Sequence, residues 1–460
     1  MTLSGLTTVE QVAATLGVPA GCLAANVAHL TVADIVTDTR KLSSGALFVA
    51  LVGEHFDAHD FIAQARAAGA VAAVVETPVD DPLPQLVVPD TRLALGLLGR
   101  ARRRAWQGSL VAVTGNSGKT TVKQILASLL ARSGKTLATH GNLNNDFGAP
   151  LTLLGLCAEH RHAVVELGAN HLGEIAWTAS LAEPDVAVIT NVTGAHIGEF
   201  GGMGQIAQAK AEILASLSGD GVAVLNRDDN YYPLWERLAS PRNVVDFGFH
   251  SAARLRAETL VSDSLGRYAF TLVYNDRALG RVQLKLLGRH NVANALAAAA
   301  AALAVGFDEN LLAEGLADIA PMPGRMSLVD GVRGAQLMDD SYNANPGALA
   351  AALETLASQP GPRWCLLGAM GELGQASQAL HAEAGQQALA LGVDVLLTLG
   401  ADARPASQAF GGQGHHFDNR EALLDYVLQY LPPDTSVLVK GSRSAGMEAV
   451  VAALRSDASR

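Results

Sequence analysis

Lys119, Thr120 and Thr121 directly follow Gly118 in the run TGNSGKTT at 114–121, which lies between the apolar LVAV and the amphipathic VKQIL. The chemistry this pattern suits is phosphate binding. Gly115 and Gly118 let the backbone around Thr114, Asn116 and Ser117 curl so that successive N–H groups face one anion, and the following helix turns its positive dipole end to the same place. Lys119 then reaches the β and γ phosphates of a nucleotide, and the Thr120 hydroxyl offers a ligand to Mg²⁺. Val113 stands where the usual G-x-x-x-x-G-K-[ST] spacing has its first glycine. The loop is thus a shortened one, supported by the apolar strand before it and the helix after it.

Three further side chains fall where such a loop would want them. Glu166 ends the apolar run AVVE, so its carboxylate reaches the same sheet edge as the loop, as a Mg²⁺ ligand beside Thr120 or as a cap on the next turn. The run DVAVITN delivers Asn191 and, five residues on, His196, a metal-ligand candidate in a glycine-rich loop. Lys210 shares a helical stripe with Ile206, Ile213, Leu214 and Leu217. On that apolar face an ammonium either snorkels to water or loses its proton, and a neutral amine can capture CO₂ as a carbamate.

Those residues need strands and helices to hold them, and the chain is long enough to supply several. With 460 residues and roughly 100–200 residues per domain, an α/β protein of three domains is expected, divided at 1–107, 108–317 and 318–460. The first block alternates helices with strands at 47–51, 71–76 and 85–89 and ends in a basic helix around Arg100 and Arg104. The second carries buried parallel strands at 109–114, 163–167, 185–191 and 221–226, an antiparallel stretch at 268–274 and 281–287, and an Ala-rich helix from Asn291. The third opens after the turn-prone Pro321-Met322-Pro323-Gly324 and places strands at 336–340, 364–369, 393–399 and 436–440.

Composition narrows the partners. A net charge of −11, without a Lys/Arg-rich run, argues against nucleic acid or an anionic membrane surface. Cys22, Cys157 and Cys365 are far apart and lack metal-ligand spacing, which fits a reducing compartment. No apolar run approaches the roughly 20 residues of a bilayer span, and MTLSGLTTVEQV lacks the start of a signal peptide. A cytoplasmic chain is expected.

The blocks TGNSGKTT, GNLNNDFGAP, ELGANHLGEI, NVTGAHIGEFGG, QAKAEIL, GRHNVANALAA, PMPGRM, DDSYNANP and KGSR resemble, in order and spacing, the Mur ligases of bacterial cell-wall synthesis. The likeness covers essentially the whole chain. It implies an ATP-dependent amide ligase with an N-terminal UDP-binding domain, a central phosphate-loop ATPase domain with a mostly parallel sheet, and a C-terminal Rossmann-like domain. The implied partners are UDP-N-acetylmuramoyl-tripeptide and D-alanyl-D-alanine, acting on a monomer, with ATP and two magnesium ions. By the same likeness Lys119 and Thr120 serve the phosphates and Mg²⁺, Glu166 and His196 are metal ligands, and Lys210 is the carbamylated lysine. Asn291 and Asn294 face the adenine, while Arg325 and Asp340 meet the γ-phosphate and ribose on domain closure. Asn142, Asn144, Asn145 and Asp146 lie along the muramoyl substrate, and Asp38-Thr39-Arg40 and Phe56-Asp57-Ala58-His59 hold the uridine diphosphate.

Other functions share parts of this pattern. A ligase adding the third stem residue, or a folylpolyglutamate synthetase, would use the same ATP machinery, although the DNPR-type motif of the diaminopimelate-adding branch is absent. Asn226-Arg227-Asp228-Asp229 resembles the guanine-reading N-K-x-D of a nucleotide switch, with Arg in place of Lys. GAMGELG places glycines at 368, 371 and 374, which is not the G-x-G-x-x-G of a dinucleotide-binding oxidoreductase.

Overall fold

Runs such as AVVE and VAVI have no polar face, so burying them on both sides requires interior strands. In the computed structural model, which describes residues 6–19, 25–53, 56–193 and 200–456, His162–Glu166 and Val186–Ile189 are buried throughout. They flank Ser109–Thr114 in parallel register, Val113 pairing with Glu166 on one side and with Val188 on the other. The strand that feeds the phosphate loop is therefore at the heart of its sheet.

Among the described residues the strands form three sheets. Ile35–Val36, Leu47–Val49, Ala72–Val75 and Gln85–Val87 make a parallel sheet in chain order. The central sheet has nine strands, running in parallel from the edge strand Thr136–Ala138 through Asn243–Gly248 to Leu255–Ser262. Arg267–Tyr274 and Arg277–Leu287 complete it as an antiparallel hairpin. In the third sheet, Ser327–Asp330 is antiparallel to Gln336–Asp340, which leads in parallel to Ser436–Lys440, Arg363–Gly368, Val395–Leu399 and Gly414–Phe417.

The expected strands are present to within a few residues at their ends. Those the sequence reading passed over are short or have a polar face: Thr136–Ala138 and Gly414–Phe417 lie at sheet edges, and Leu255–Ser262 has exposed Glu258 and Thr259. Asn243–Gly248 has a carboxylate in its middle, Asp246, which is buried because Arg227 pairs with it.

Two helices pack together on one face of the central sheet. Lys119–Ala131 buries Val122, Ile125, Leu126, Leu129 and Leu130, and Arg289–Ala304 buries an unbroken run from Ala295 to Ala302. Alanine leaves no bulk between the two, so they share one core with Val111, Val188 and Phe270. A different helix, Thr91–Ala105, ends the first block and is fastened to the second. Its Arg100 and Arg104 pair with Glu183, and Arg103 with Asp185. Gly96 and Gly99 let it close on Trp177 and on the backbone of Pro150, where an added Cβ would come within 2.8 and 3.0 Å. The basic helix thus serves an internal seam. Cys157 and Cys365 are buried free thiols, while Cys22 lies outside the described residues. No described helix is long and apolar enough to cross a membrane.

Candidate active site

The carboxyl ends of parallel strands are where open α/β sheets bind ligands, and here two such edges face each other. A cavity of about 350 Å³ lies between them, lined from the central domain by Asn116–Thr121, Glu166 and Asn294 and from the C-terminal domain by Arg325, Asp340 and Lys440.

The phosphate loop turns at two glycines. Gly115 has φ 141°, and a Cβ there would come within 1.9 Å of Thr190 Oγ1; Gly118 has φ 81°, and its Cβ would fall 2.2 Å from Asn294 Oδ1. The amides of Asn116 and Ser117 do not face the anion site: they donate to the Asn191 carbonyl and to Asn191 Oδ1, at 3.0 and 2.9 Å. Asn191 and Thr190 also donate to the Ser117 carbonyl. The amides left for an anion are those of the first turn of Lys119–Ala131, which have no intrahelical acceptor. Lys119 Nζ donates to the Gly115 carbonyl at 2.7 Å. Burial pushes its ammonium below the ordinary lysine range, opposed by Glu166 and reinforced by Arg325.

Glu166 is 2% exposed. Its Oε1 accepts from Asn144 Nδ2 at 2.8 Å and from Thr120 Oγ1 at 3.3 Å, while Oε2 lies 3.2 Å from Lys123 Nζ and accepts no hydrogen bond. A carboxylate and a hydroxyl together on the cavity wall are hard oxygen donors of the kind Mg²⁺ takes. No described cluster of three His, Cys, Asp or Glu side chains surrounds them, and the candidate ligand His196 lies outside the described residues.

Lys210 does not snorkel. It is 1% exposed in the helix Met203–Ala215, with Ile206, Ile213, Leu214 and Leu217 buried alongside. Its Nζ lies 3.5 Å from the Ala169 carbonyl and 5.3 Å from the centre of the Phe200 ring. Burial, with Lys119 adding to it, lowers its pKa to about 7, so a large neutral fraction exists near neutrality.

On the opposite wall, the Arg325 guanidinium stacks on Tyr342 at 4.0 Å. Asp340 is committed to its own domain, pairing with buried Lys440 and accepting from the Met326 amide at 3.2 Å. Asn291 and Asn294 are bonded to each other at 2.9 Å, with Asn291 also donating to the Leu287 carbonyl. His290 beside them is held neutral, its pKa pushed down to about 4 by burial. Across the cavity Ser117 Oγ and the Asn345 side chain are 3.3 Å apart, joining the phosphate loop to the helix Pro346–Ala357 that Asn345 caps.

The other expected residues divide between the cavity and places away from it. Asn142 and Asn144 line the cavity, but Asn145 Oδ1 accepts from the Gly148 amide at the start of Gly148–Leu154, and Asp146 lies 3.6 Å from Arg92. In the first domain Arg40 pairs with Asp38, whose carboxyl that hydrogen bond draws down to about 2. Thr39 opens the short helix that Asp38 caps. His59 has both ring nitrogens engaged, with Asp57 at 2.6 Å and the Glu76 amide at 2.9 Å. The segment Asn226–Asp229 holds loops: Asp228 accepts from the Phe249 and His250 amides, Asp229 from Val192, and Arg227 pairs with Asp246.

Family models match the chain in three consecutive stretches: the Mur ligase family catalytic domain at 31–103, the Mur ligase middle domain at 113–302 and the Mur ligase glutamate ligase domain at 324–443. UDP-N-acetylmuramoyl-tripeptide–D-alanyl-D-alanine ligase of Escherichia coli K12 is 45% identical over 430 residues, covering 93% of this chain and 95% of that one. The chain belongs to the Mur ligase family. Among solved structures, MurF from Acinetobacter baumannii superposes with a TM-score of 0.89 at 36% identity, covering 97% and 98% of the two chains. MurF ligase from Thermotoga maritima in complex with ADP gives 0.82 at 28% identity, covering 91% and 96%.

In this Mur ligase, sequence reading missed Lys123, His290, Tyr342, Asn345 and Lys440 as cavity or near-cavity residues. Lys123 had a signal, standing one helical turn beyond Lys119. His290 stands beside the expected Asn291 on the same helix, and Tyr342, Asn345 and Lys440 are brought in by the facing of two domains. Gly118→Ala should weaken ADP binding by about tenfold or more while the fold survives, because φ > 0 with a side chain costs about 1–2 kcal/mol and the methyl also displaces Asn294. Calorimetric titration with ADP, alongside a thermal melt, checks it; unchanged affinity would mean that the loop does not hold the phosphates.

Proposed function

We propose that this chain joins D-alanyl-D-alanine to the tripeptide carboxylate of UDP-N-acetylmuramoyl-tripeptide, converting ATP to ADP and phosphate, as a step in peptidoglycan precursor synthesis. The observation that carries the reading is the facing of Lys119, Thr120 and Glu166 by Arg325 across one cavity, in a chain that matches a ligase of that activity over nearly its whole length. Nucleotide-linked substrates and ATP support a cytoplasmic reaction, and a monomer suffices because one chain supplies both walls.

The chemistry follows from charge. The peptide carboxylate attacks the γ-phosphorus, ADP leaves, and an acyl phosphate forms. Carboxylate and phosphate repel, so Lys119 and Arg325 act where negative charge builds up, and the first-turn amides hold the phosphates in line. The D-alanyl-D-alanine amine then attacks the acyl carbon, and phosphate departs from the tetrahedral intermediate. No protein nucleophile takes part. Thr120 and Glu166 would hold Mg²⁺, which when bound neutralises the β and γ phosphates. A second ion is assigned to His196 and a carbamate on Lys210; the burial of Lys210 and its depressed pKa support the carbamate, since a neutral amine is what captures CO₂. Domain closure keeps water from the acyl phosphate.

Phosphate release with ATP, Mg²⁺ and the UDP-linked tripeptide should depend on D-alanyl-D-alanine and not on single amino acids; equal stimulation by an amino acid would overturn the assignment. Lys119→Ala is expected to lower kcat by about 10²–10³, the typical worth of one preorganised charge contact, and near-normal turnover would remove it from the mechanism. Arg325→Ala should reduce turnover far more than ATP affinity, whereas an equal loss in both would make it a ground-state contact. Lys210→Ala should be inactive and partly restored by short carboxylates. Activity should also fall as pH drops through about 7, where the Lys210 amine becomes ammonium; full activity of Lys210→Ala would exclude the carbamate.

A further inference from the structure

The phosphate-loop helix carries a second lysine four residues after the first, on the same face. Lys123 is 2% exposed, and a buried ammonium persists only with a counter-charge and acceptors. It has both. Nζ lies 3.2 Å from Glu166 Oε2 and donates to the Gly141 carbonyl at 3.1 Å.

These partners belong to different parts of the site. Glu166 ends a central strand, and Gly141 opens the segment that carries Asn142 and Asn144. The same segment returns to Glu166 through Asn144 Nδ2. The carboxylate is therefore held in a fixed rotation, Oε2 toward Lys123 and Oε1 toward Thr120 and the cavity. Two like charges four residues apart on a helix repel, so Lys119 and Lys123 are compatible because Glu166 lies near both.

We propose that Lys123 is a positioning residue that couples the 140–146 segment to Glu166, so that ordering this segment and aiming the magnesium-facing oxygen are one event. This rests on the reading of Glu166 as a magnesium ligand. The ammonium does not touch the reacting atoms. It acts by orienting Glu166 and by pinning the Gly141 backbone.

The test compares wild type with Lys123→Met, Lys123→Gln, Glu166→Gln and the Lys123→Met/Glu166→Gln double variant, by ADP calorimetry with and without Mg²⁺ and by steady-state kinetics. Lys123→Met is expected to keep metal-free ADP affinity within about twofold, to shift the Mg²⁺ half-saturation by about fivefold or more, and to raise the KM for the UDP-linked substrate by about tenfold, as expected when a buried charge pair is broken. Lys123→Gln retains an N–H donor for Gly141, so it should recover much of that KM without recovering the Mg²⁺ response. The double variant should show the Mg²⁺ response of Glu166→Gln alone, because coupled partners are non-additive.

If Glu166→Gln shifts the Mg²⁺ response and neither Lys123 variant does, or if their effects multiply, the coupling is wrong. An unchanged Mg²⁺ response in Glu166→Gln removes the magnesium reading itself, and the proposal with it. Loss of metal-free ADP binding in both Lys123→Met and Lys123→Gln would make Lys123 a plain folding residue, which also overturns the proposal.

Discussion

Cations crowded into a poorly solvated space destabilise one another, and Lys119, Lys210 and Arg325 stand in that relation here: Arg325 depresses the Lys119 ammonium, and Lys119 depresses that of Lys210. An enzyme that must bring a carboxylate onto a phosphate needs such a surplus of positive charge. Glu166 makes it tolerable, since its carboxylate supports Lys119 and pairs with Lys123. Much of the rest serves that carboxylate. The strand that carries it is buried on both faces, Thr139 Oγ1 accepts from its amide at 2.9 Å, and Asn144 and Thr120 fix one oxygen.

The second wall is built by the same logic with different residues. Lys440 is as deeply buried as Lys210, but it has Asp340 and the Asn343 carbonyl as partners. The two lysines are unlike: Lys440, at the end of a strand, is neutralised by a carboxylate on the neighbouring strand, whereas Lys210, on a helix, has a carbonyl and an aromatic ring near its nitrogen among the described residues. That contrast sets the Lys210 pKa near neutrality and marks the lysine with chemistry still open to it.

The parts of this arrangement legible in the sequence were those written locally. Gly115, Gly118 and Lys119 announce a loop because turn, strand and helix are contiguous, and Glu166 is found because it is the first charge after an apolar run. Lys210 is visible as a cation on an apolar stripe. Asn191 shows the limit: its strand-end position was readable, but not that its side chain takes the Ser117 amide from the anion site. Asn345 and Ser117 are 228 residues apart, and such a pairing leaves no periodic trace. His59 shows another side of the limit: its place in a motif was readable, but not that its two nitrogens meet Asp57 and the Glu76 amide within its own domain.

The seam formed by Thr91–Ala105 makes the two joints of the molecule unlike. At one, three arginines and two glycines lock the first domain against Glu183, Asp185, Trp177 and Pro150. At the other, the residues around Pro321 and Gly324 connect the central and C-terminal domains, and Ser117 and Asn345 meet across the cavity. The first joint is thus held by ion pairs and close backbone packing, the second by a short connection and a contact across the cavity. The spacing between the first sheet and the phosphate loop is therefore set by those ion pairs and glycine contacts.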